Sequence, residues 1–332
     1  MAESASHTAL ADRHGRTKRK LRVSLTDRCN FRCGYCMPDN PEWLPRSELL
    51  AYEELQRLLG LFVTRLGIDE LRLTGGEPLL RKDVSGFIRQ INELRAHGLQ
   101  RIAMTSNGVL LPRHAPALAA AGLDDINISL DALDPAVFAR MTGDRGSPDE
   151  VIAGIDAAIA AGISVKLNAV AIRGYNEQQV LPLTRWAMER DLPLRFIEFM
   201  PLEGGGLWSD ERVIPEAELL DTLRREHDVQ PIPRNNAPAT YYEIDGRYRL
   251  GVISTVSNPF CSSCDRVRLT ATGDLYSCLF SASGRDLRTP LRDGSDDETL
   301  LQRIRGHVWH KQAGYAATGM VERPITMHAL GG

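Results

Sequence analysis

Six times between residues 20 and 200, a short apolar run is followed by a longer stretch with helical spacing. The runs are Leu21–Leu25, Glu70–Leu73, Arg101–Met104, Asp125–Ser129, Val165–Ala171 and Leu194–Phe199. They carry Ile, Leu, Val or Phe and close on polar residues or glycine, as strands do when they enter loops. Between them, Tyr52–Leu66 sets Leu55, Leu58, Leu59, Phe62, Val63 and Leu66 at a helix period. Val84–Ala96, Ala115–Ala121 and Asn176–Arg190 also read as helices. The helix that starts at Pro148 is fully punctuated. Ser147 caps it, Pro148 takes the first position, Glu150 completes a capping box and Gly162 stops it.

Strands alternating with helices predict a parallel sheet. Six βα units fall short of the eight in a closed barrel. The pattern therefore predicts an open partial (β/α)6 TIM-like barrel over residues 21–210, preceded by a flexible tail at residues 1–20. In such sheets the working face lies at the C-terminal ends of the strands. The loops there are Thr26-Asp27-Arg28-Cys29, Thr74-Gly75-Gly76-Glu77-Pro78, Thr105-Ser106-Asn107-Gly108, Ser129-Leu130-Asp131 and Met200-Pro201. The period then changes. Gly204–Gly206 and Pro231–Pro238 read as linkers, Glu216–Glu226 as a helix, and Tyr241–Val252 as a hairpin turning at Asp245-Gly246. Residues 211–332 thus form a C-terminal α+β extension.

Composition narrows the function classes. A net charge of −3 argues against a general nucleic-acid binder. No apolar run is long enough to span a bilayer. The N-terminus becomes basic at Arg13–Lys20 but has no apolar core, so it does not read as a secretory signal and the expected location is cytoplasmic.

In a reducing compartment, spaced cysteines read as ligands more readily than as disulfides. All six cysteines fall into two triplets, Cys29-x3-Cys33-x2-Cys36 and Cys261-x2-Cys264-x13-Cys278. Iron–sulfur clusters usually take four thiolates and structural zinc takes four ligands. A cluster held by three leaves one iron open to a small molecule. Zinc is the competing reading, with histidine as a fourth ligand at the second triplet. His307 and His310 lie too far downstream for a tight motif.

The first triplet, with Tyr35 before its last cysteine and Gly75-Gly76-Glu77-Pro78 in the next loop, resembles the radical S-adenosylmethionine (SAM) signature. Cys261-x2-Cys264-Asp265-Arg266-Val267-Arg268 with Cys278 resembles the C-terminal cluster motif of the GTP 3′,8-cyclase family within it. Leu25–Cys33, Arg72–Pro78, Arg195–Met200 and the terminal Gly331-Gly332 extend that resemblance from Leu21 to Gly332. Leu330 stands where isoleucine is expected in relatives.

The resemblance implies two [4Fe–4S] clusters, held by Cys29, Cys33 and Cys36 and by Cys261, Cys264 and Cys278. SAM would bind the first cluster beside Tyr35, Gly76, Glu77, Ser129 and Met200, with Glu77 accepting from its ammonium. GTP would meet the second cluster through its guanine, and Arg22, Arg72, Thr105, Lys166, Arg195, Arg266 and Arg268. No Gly-x4-Gly-Lys phosphate loop is present, so arginines are the candidates to neutralise the triphosphate. The reaction implied is hydrogen removal from ribose C3′ and attack of that carbon on C8 of the same guanine. The product is (8S)-3′,8-cyclo-7,8-dihydroguanosine 5′-triphosphate, in the first step of molybdenum cofactor biosynthesis. Catalytic roles fall on Arg266, Arg268, Gly331 and Gly332. Implied partners are an electron donor such as flavodoxin or ferredoxin, a downstream cyclic pyranopterin monophosphate synthase and a second copy as homodimer, with no nucleic acid and no membrane. A radical SAM peptide-modifying enzyme with an auxiliary cluster is the alternative, although such enzymes carry more C-terminal cysteines.

Overall fold

The computed structural model describes residues 9–38, 40–202, 206–233, 237–314 and 326–331. The six expected strands are β1 (Lys20–Ser24), β2 (Glu70–Thr74), β3 (Arg101–Ser106), β4 (Asp125–Ser129), β5 (Ser164–Ala171) and β6 (Leu194–Glu198). They pair in chain order, all parallel. The helices between them are α1 (Tyr52–Thr64), α2 (Val84–Asn92), α3 (Leu111–Ala120), α4 (Pro135–Thr142), α5 (Pro148–Ala160) and α6 (Val180–Glu189). Ser147 Oγ accepts from Glu150 N at 3.3 Å, as its capping position requires. Helix α4 was not among the expected elements. Asp134 caps it by accepting from Ala136 N and Val137 N, both at 2.9 Å.

The C-terminal part is helix α7 (Glu216–Leu223), strands β7 (Val229–Pro231), β8 (Thr240–Ile244), β9 (Tyr248–Ile253), β10 (Arg266–Leu269), β11 (Asp274–Tyr276) and β12 (Arg285–Asp286), then helices α8 (Arg288–Arg292), α9 (Asp297–Trp309) and α10 (Met327–Leu330). It does not sit apart from the barrel. Strand β10 pairs parallel with β1, and β9 pairs parallel with β6. One sheet therefore runs β12-β11-β10-β1-β2-β3-β4-β5-β6-β9-β8-β7. The boundary expected near residue 210 divides the chain, but the sheet crosses it.

Residues 9–20 differ from the flexible tail that was expected. Ala11 and Thr17 form an antiparallel bridge, and Leu10 and Lys18 are buried. Of the expected linkers, residues 204, 205 and 234–236 lie outside the described residues, and Val229–Pro231 is a strand.

Alternation along each strand sorts the chain into core and cavity. On β5, Val165, Leu167, Ala169 and Ala171 are buried in the core, while Lys166, Asn168 and Val170 line the interior. On β1, Leu21 and Val23 pack outward, and Lys20 and Arg22 face inward. Among the described residues no helix is long and apolar enough to cross a membrane.

Candidate active site

A cavity of about 470 Å³ opens within the curve of the sheet. That volume falls in the range of small-molecule sites. Both cysteine triplets line it, with Tyr35, Gly76, Ser129 and Met200 and every arginine, lysine and threonine that sequence reasoning assigned to GTP.

The first triplet sits in the loop after β1. Cys36 N donates to Cys33 O at 2.9 Å and Met37 N to the same oxygen at 3.2 Å, a turn that brings Cys33 and Cys36 round to the cavity. Phe31 N lies 3.4 Å from Cys29 Sγ. Burial pushes the Cys29 thiol up to about 11, and raises Cys33 and Cys36 well above the ordinary thiol range. Thiols so placed ionise only against a strong positive partner, which a metal centre supplies. No three His, Cys, Asp or Glu side chains among the described residues are arranged to hold a single metal ion. A three-cysteine donor set fits a cluster that keeps one iron open better than a four-coordinate structural zinc.

The Gly-Gly-Glu-Pro loop after β2 packs against the loop that carries the first triplet. A Cβ on Gly76 would lie 2.3 Å from Arg28 O, and one on Gly75 would lie 2.6 Å from Thr26 O. Gly76 N donates to Thr26 O at 2.7 Å and Glu77 N to Arg28 O at 2.8 Å. The glycines let this loop lie flat against the backbone that precedes Cys29, so they set the cysteine loop as well as the cavity wall. Glu77 was expected to accept from a ligand ammonium, but it is 0 % exposed and does not line the cavity. Its oxygens accept from Ser106 Oγ at 2.9 Å, Asn107 N at 2.8 Å and Leu79 N at 3.0 Å. It ties the loops after β2 and β3 together. Burial raises its carboxyl to about 7 against the pull of these donors.

The second triplet lines the same cavity from the loop before β10 and the loop after β11. Phe280 N lies 3.4 Å from Cys278 Sγ, Lys311 Nζ 3.2 Å and Arg266 Nη2 3.9 Å from Cys264 Sγ. Burial alone would raise the Cys264 thiol, but Arg266 and Lys311 outweigh it and bring it down to about 6.

Between the triplets the wall is cationic. Nine Lys or Arg side chains line the cavity against two carboxylates, Glu70 and Asp131. In register, Arg22 pairs with Arg72 on one side and with Arg268 on the other. Burial, then Arg268, Arg72, Arg266 and Arg195, depress the Arg22 guanidinium well below its ordinary value. At the N-terminal end of the strands, Asp125 lies 3.5 Å from Arg72 and 3.6 Å from Lys166, and pairs with Arg101. Like charges held this close need an anion between them. Arg195 Nε and Nη2, Thr105 Oγ1, Asn127 Oδ1 and Asn168 Oδ1 are buried with no hydrogen-bond partner among the described residues. Buried polar atoms in native proteins are nearly always paired, so these mark ligand positions. Arg195 has room because Gly251 faces it across the β6–β9 pair, where a Cβ would come 2.7 Å from Arg195 Cγ.

The C-terminal residues run beside this wall. His328 N donates to Cys36 O at 3.3 Å, and Arg268 Nη1 lies 3.4 Å from the carbonyl oxygens of Leu330 and Gly331. Gly331 has a φ of +78° and lies against Thr74 and Ser24. Gly332 lies outside the described residues.

Sequence reasoning missed Lys20, Arg101, Asn127, Asn168 and Lys311, all on the cavity wall. The first four were within reach. Each sits on one of the six strands, and Lys20, Asn127 and Asn168 are two positions from Arg22, Ser129 and Lys166, on the same strand face. Lys311 follows α9 and carries no periodic signal.

Asp131 gives a pH-dependent test of this wall. Its Oδ2 accepts from Tyr35 Oη at 2.7 Å and its Oδ1 from Val170 N at 2.8 Å. Burial raises its carboxyl to about 6 against these bonds. A carboxyl raised on folding stabilises the fold fully below its unfolded value near 4, and that stability is lost as pH rises through 6. The loss amounts to about 3 kcal/mol. Asparagine keeps both contacts, since its amide can donate to the Tyr35 oxygen. In urea unfolding of the metal-free chain, Asp131→Asn is expected to flatten the decline between pH 4 and 7 and to be the more stable protein at pH 7.

Residues 23–187 match the family model described as the radical SAM superfamily, and residues 192–317 match the model described as Molybdenum Cofactor Synthesis C. The chain is 47% identical to a GTP 3′,8-cyclase of Rhodopirellula baltica, over 98% of this chain and 92% of that protein. It is 42% identical to a GTP 3′,8-cyclase of Streptomyces coelicolor, over 97% of this chain and 96% of that one. It is 44% identical to GTP 3′,8-cyclase 2 of Mycobacterium tuberculosis, over 97% and 92%. Among solved structures, Streptococcus suis SuiB bound to precursor peptide SuiA superposes with a TM-score of 0.62 at 15% identity, covering 90% of this chain and 69% of that one. The likeness to SuiB is one of fold.

Proposed function

The chain belongs to the GTP 3′,8-cyclase family of the radical SAM superfamily, and from that premise we propose how its residues divide the work. It converts GTP to (8S)-3′,8-cyclo-7,8-dihydroguanosine 5′-triphosphate, the first step of molybdenum cofactor biosynthesis. The observation that carries the division is that two cysteine triplets and a cationic wall share one cavity.

Cys29, Cys33 and Cys36 hold one [4Fe–4S] cluster and Cys261, Cys264 and Cys278 the other. When bound, the first cluster and SAM supply the carbon radical that takes hydrogen from ribose C3′, and the second supplies an open iron for the guanine. The chain's own residues place the reactants. Gly76, Ser129, Tyr35 and Met200 form the wall beside the first triplet and bind SAM. Arg22, Arg268, Arg266 and Arg195 take the triphosphate, because their mutual repulsion is relieved by a polyanion. Arg72 and Lys166, steadied by Asp125, hold the far end of that wall. Thr105, Asn127 and Asn168 offer unused polar atoms for ribose or base. The bond-forming step joins two atoms of one nucleotide, and holding its base and triphosphate keeps C3′ and C8 in the conformation that closes the ring. Arg266 lies beside Cys264 and Arg268 beside the Leu330 and Gly331 carbonyls, and these two arginines with Gly331 and Gly332 take the catalytic roles. Glu77 acts by holding two loops, not by touching substrate.

The remaining partners are an electron donor such as flavodoxin or ferredoxin, a downstream cyclic pyranopterin monophosphate synthase, and a second copy in a homodimer, all in the cytoplasm.

The test is anaerobic. The purified protein is expected to hold about eight irons and eight sulfides. Given SAM, dithionite and GTP, it is expected to release 5′-deoxyadenosine in step with the cyclised nucleotide. Zinc in place of iron would overturn the assignment, and so would 5′-deoxyadenosine formation indifferent to GTP.

A further inference from the structure

The basic N-terminal segment has no role in the account so far, yet it is built into the second triplet. Residues 9–18 fold as a hook closed by the Ala11–Thr17 bridge, with Gly15 at a φ of +75°. Leu10 N donates to Leu66 O and Arg13 N to Trp309 O, both at 3.1 Å, which pin the hook between α1 and α9. From it two cations reach the cysteine loop. Arg16 Nη1 donates to Cys261 O at 2.7 Å and to Ala313 O at 2.6 Å, and Nη2 to Gln312 O at 2.6 Å. Lys18 Nζ donates to Cys264 O at 2.7 Å. Lys18 is 0 % exposed. A lysine is buried so completely only when partnered, and Asp12 at 2.8 Å is its counter-ion.

A third cation closes the loop from the other side. Lys311 Nζ donates to Arg266 O at 2.9 Å and lies 3.2 Å from Cys264 Sγ. The segment that carries it lies against the other cysteine, since a Cβ on Gly314 would come 3.2 Å from Cys261 Sγ. Asp12 bridges Arg16 and Lys18 and Asp265 bridges Lys20, two carboxylates against the five cations Arg16, Lys18, Lys20, Arg266 and Lys311, so Cys264 sits in a net positive seat.

We infer that Arg16, Lys18 and Lys311 are positioning residues for the second cysteine triplet, fixing the Cys261–Cys264 loop and raising the reduction potential of the cluster bound there. A cation and a donor to a ligand sulfur both favour the form with the extra electron. The inference rests on the reading that these cysteines hold a cluster.

The experiment uses the full chain with Cys29, Cys33 and Cys36 replaced by alanine, so that iron reports the second site alone. In this background Lys311→Met is expected to keep its iron but to shift the midpoint of the second cluster to more negative potential, read by electron paramagnetic resonance during a dithionite titration. Lys311→Arg is expected to restore it. Lys18→Met is expected to lower iron affinity at the second site by about 10-fold or more, read with a competing chelator. An unchanged midpoint in Lys311→Met with iron retained, or unchanged chelator resistance in Lys18→Met, overturns the inference alone. A background protein that takes up no iron overturns the cluster reading, and the inference falls with it.

Discussion

Replacing Cys33 by alanine is expected to abolish 5′-deoxyadenosine formation and to leave about four irons in the chain instead of eight. The side chain lies in a half-buried turn with Cys36, among groups that raise its thiol well above the ordinary range. It is ionised only by the metal, so no neighbouring group can substitute for it. Two remaining thiols cannot hold a cluster that already works with three. The second triplet should be untouched, because its loop is held from elsewhere, by Arg16 and Lys18. Cys264→Ala should give a different pattern. SAM cleavage survives at least in part, while cyclised nucleotide disappears, since the radical is still made but its target is no longer fixed. Iron and sulfide analysis with chromatography of both products separates the two cases. If both variants lost the same activities and the same iron, the separate roles given to the triplets would fail.

Much of this arrangement could be read from the sequence because the chemistry lies at the ends of regular elements. The six strands fell within two residues of the positions their apolar runs marked, and the loops after them carried the cysteines and glycines. What could not be read is what the sheet does with distant segments. Strand β10 pairs with β1 although more than two hundred residues separate them, and this brings Arg268 beside Arg22. Periodicity describes one element at a time and is silent on such pairing. The same limit hid the N-terminal hook. Arg13–Lys20 looks like a solvated charge run, and only the fold shows Lys18 buried under Cys264. Helix α4 escaped for a local reason. Asp134-Pro135 and Gly143 frame it, but its eight residues offer barely two turns of apolar period.

Glu77 shows how a residue marked by a motif also carries a structural task that the motif does not announce. The motif pointed to an acceptor, and Glu77 is one. Its three donors are Ser106, Asn107 and Leu79, and they occupy it within the protein. A buried carboxylate that bridges two ligand-bearing loops constrains the site as strongly as one that touches the ligand.

The arginine wall leads to the second large effect, in which stability and function move in opposite directions. Arg22→Met is expected to raise the melting temperature of the ligand-free chain by a few degrees and to weaken GTP binding by roughly 10- to 150-fold. The first part follows from charge. Arg22 is half-buried, and its guanidinium is opposed by Arg268, Arg72, Arg266 and Arg195. Removing one guanidinium from among like charges relieves their mutual repulsion in the ligand-free chain. The second part follows from the ligand. A hydrogen bond to a charged group contributes about 1.5–3 kcal/mol, and each 1.4 kcal/mol is about tenfold in affinity. Comparing nucleotides fixes which part of the ligand the residue serves. Guanosine lacks the phosphates, so its affinity should be nearly the same in the variant and the parent, and the advantage of GTP over guanosine should shrink by the whole factor. Calorimetric titration of the anaerobic holoenzyme with both ligands measures this. Equal losses for GTP and guanosine would move Arg22 from the triphosphate to the base or ribose, and the wall would then need another account of why so many like charges face one cavity.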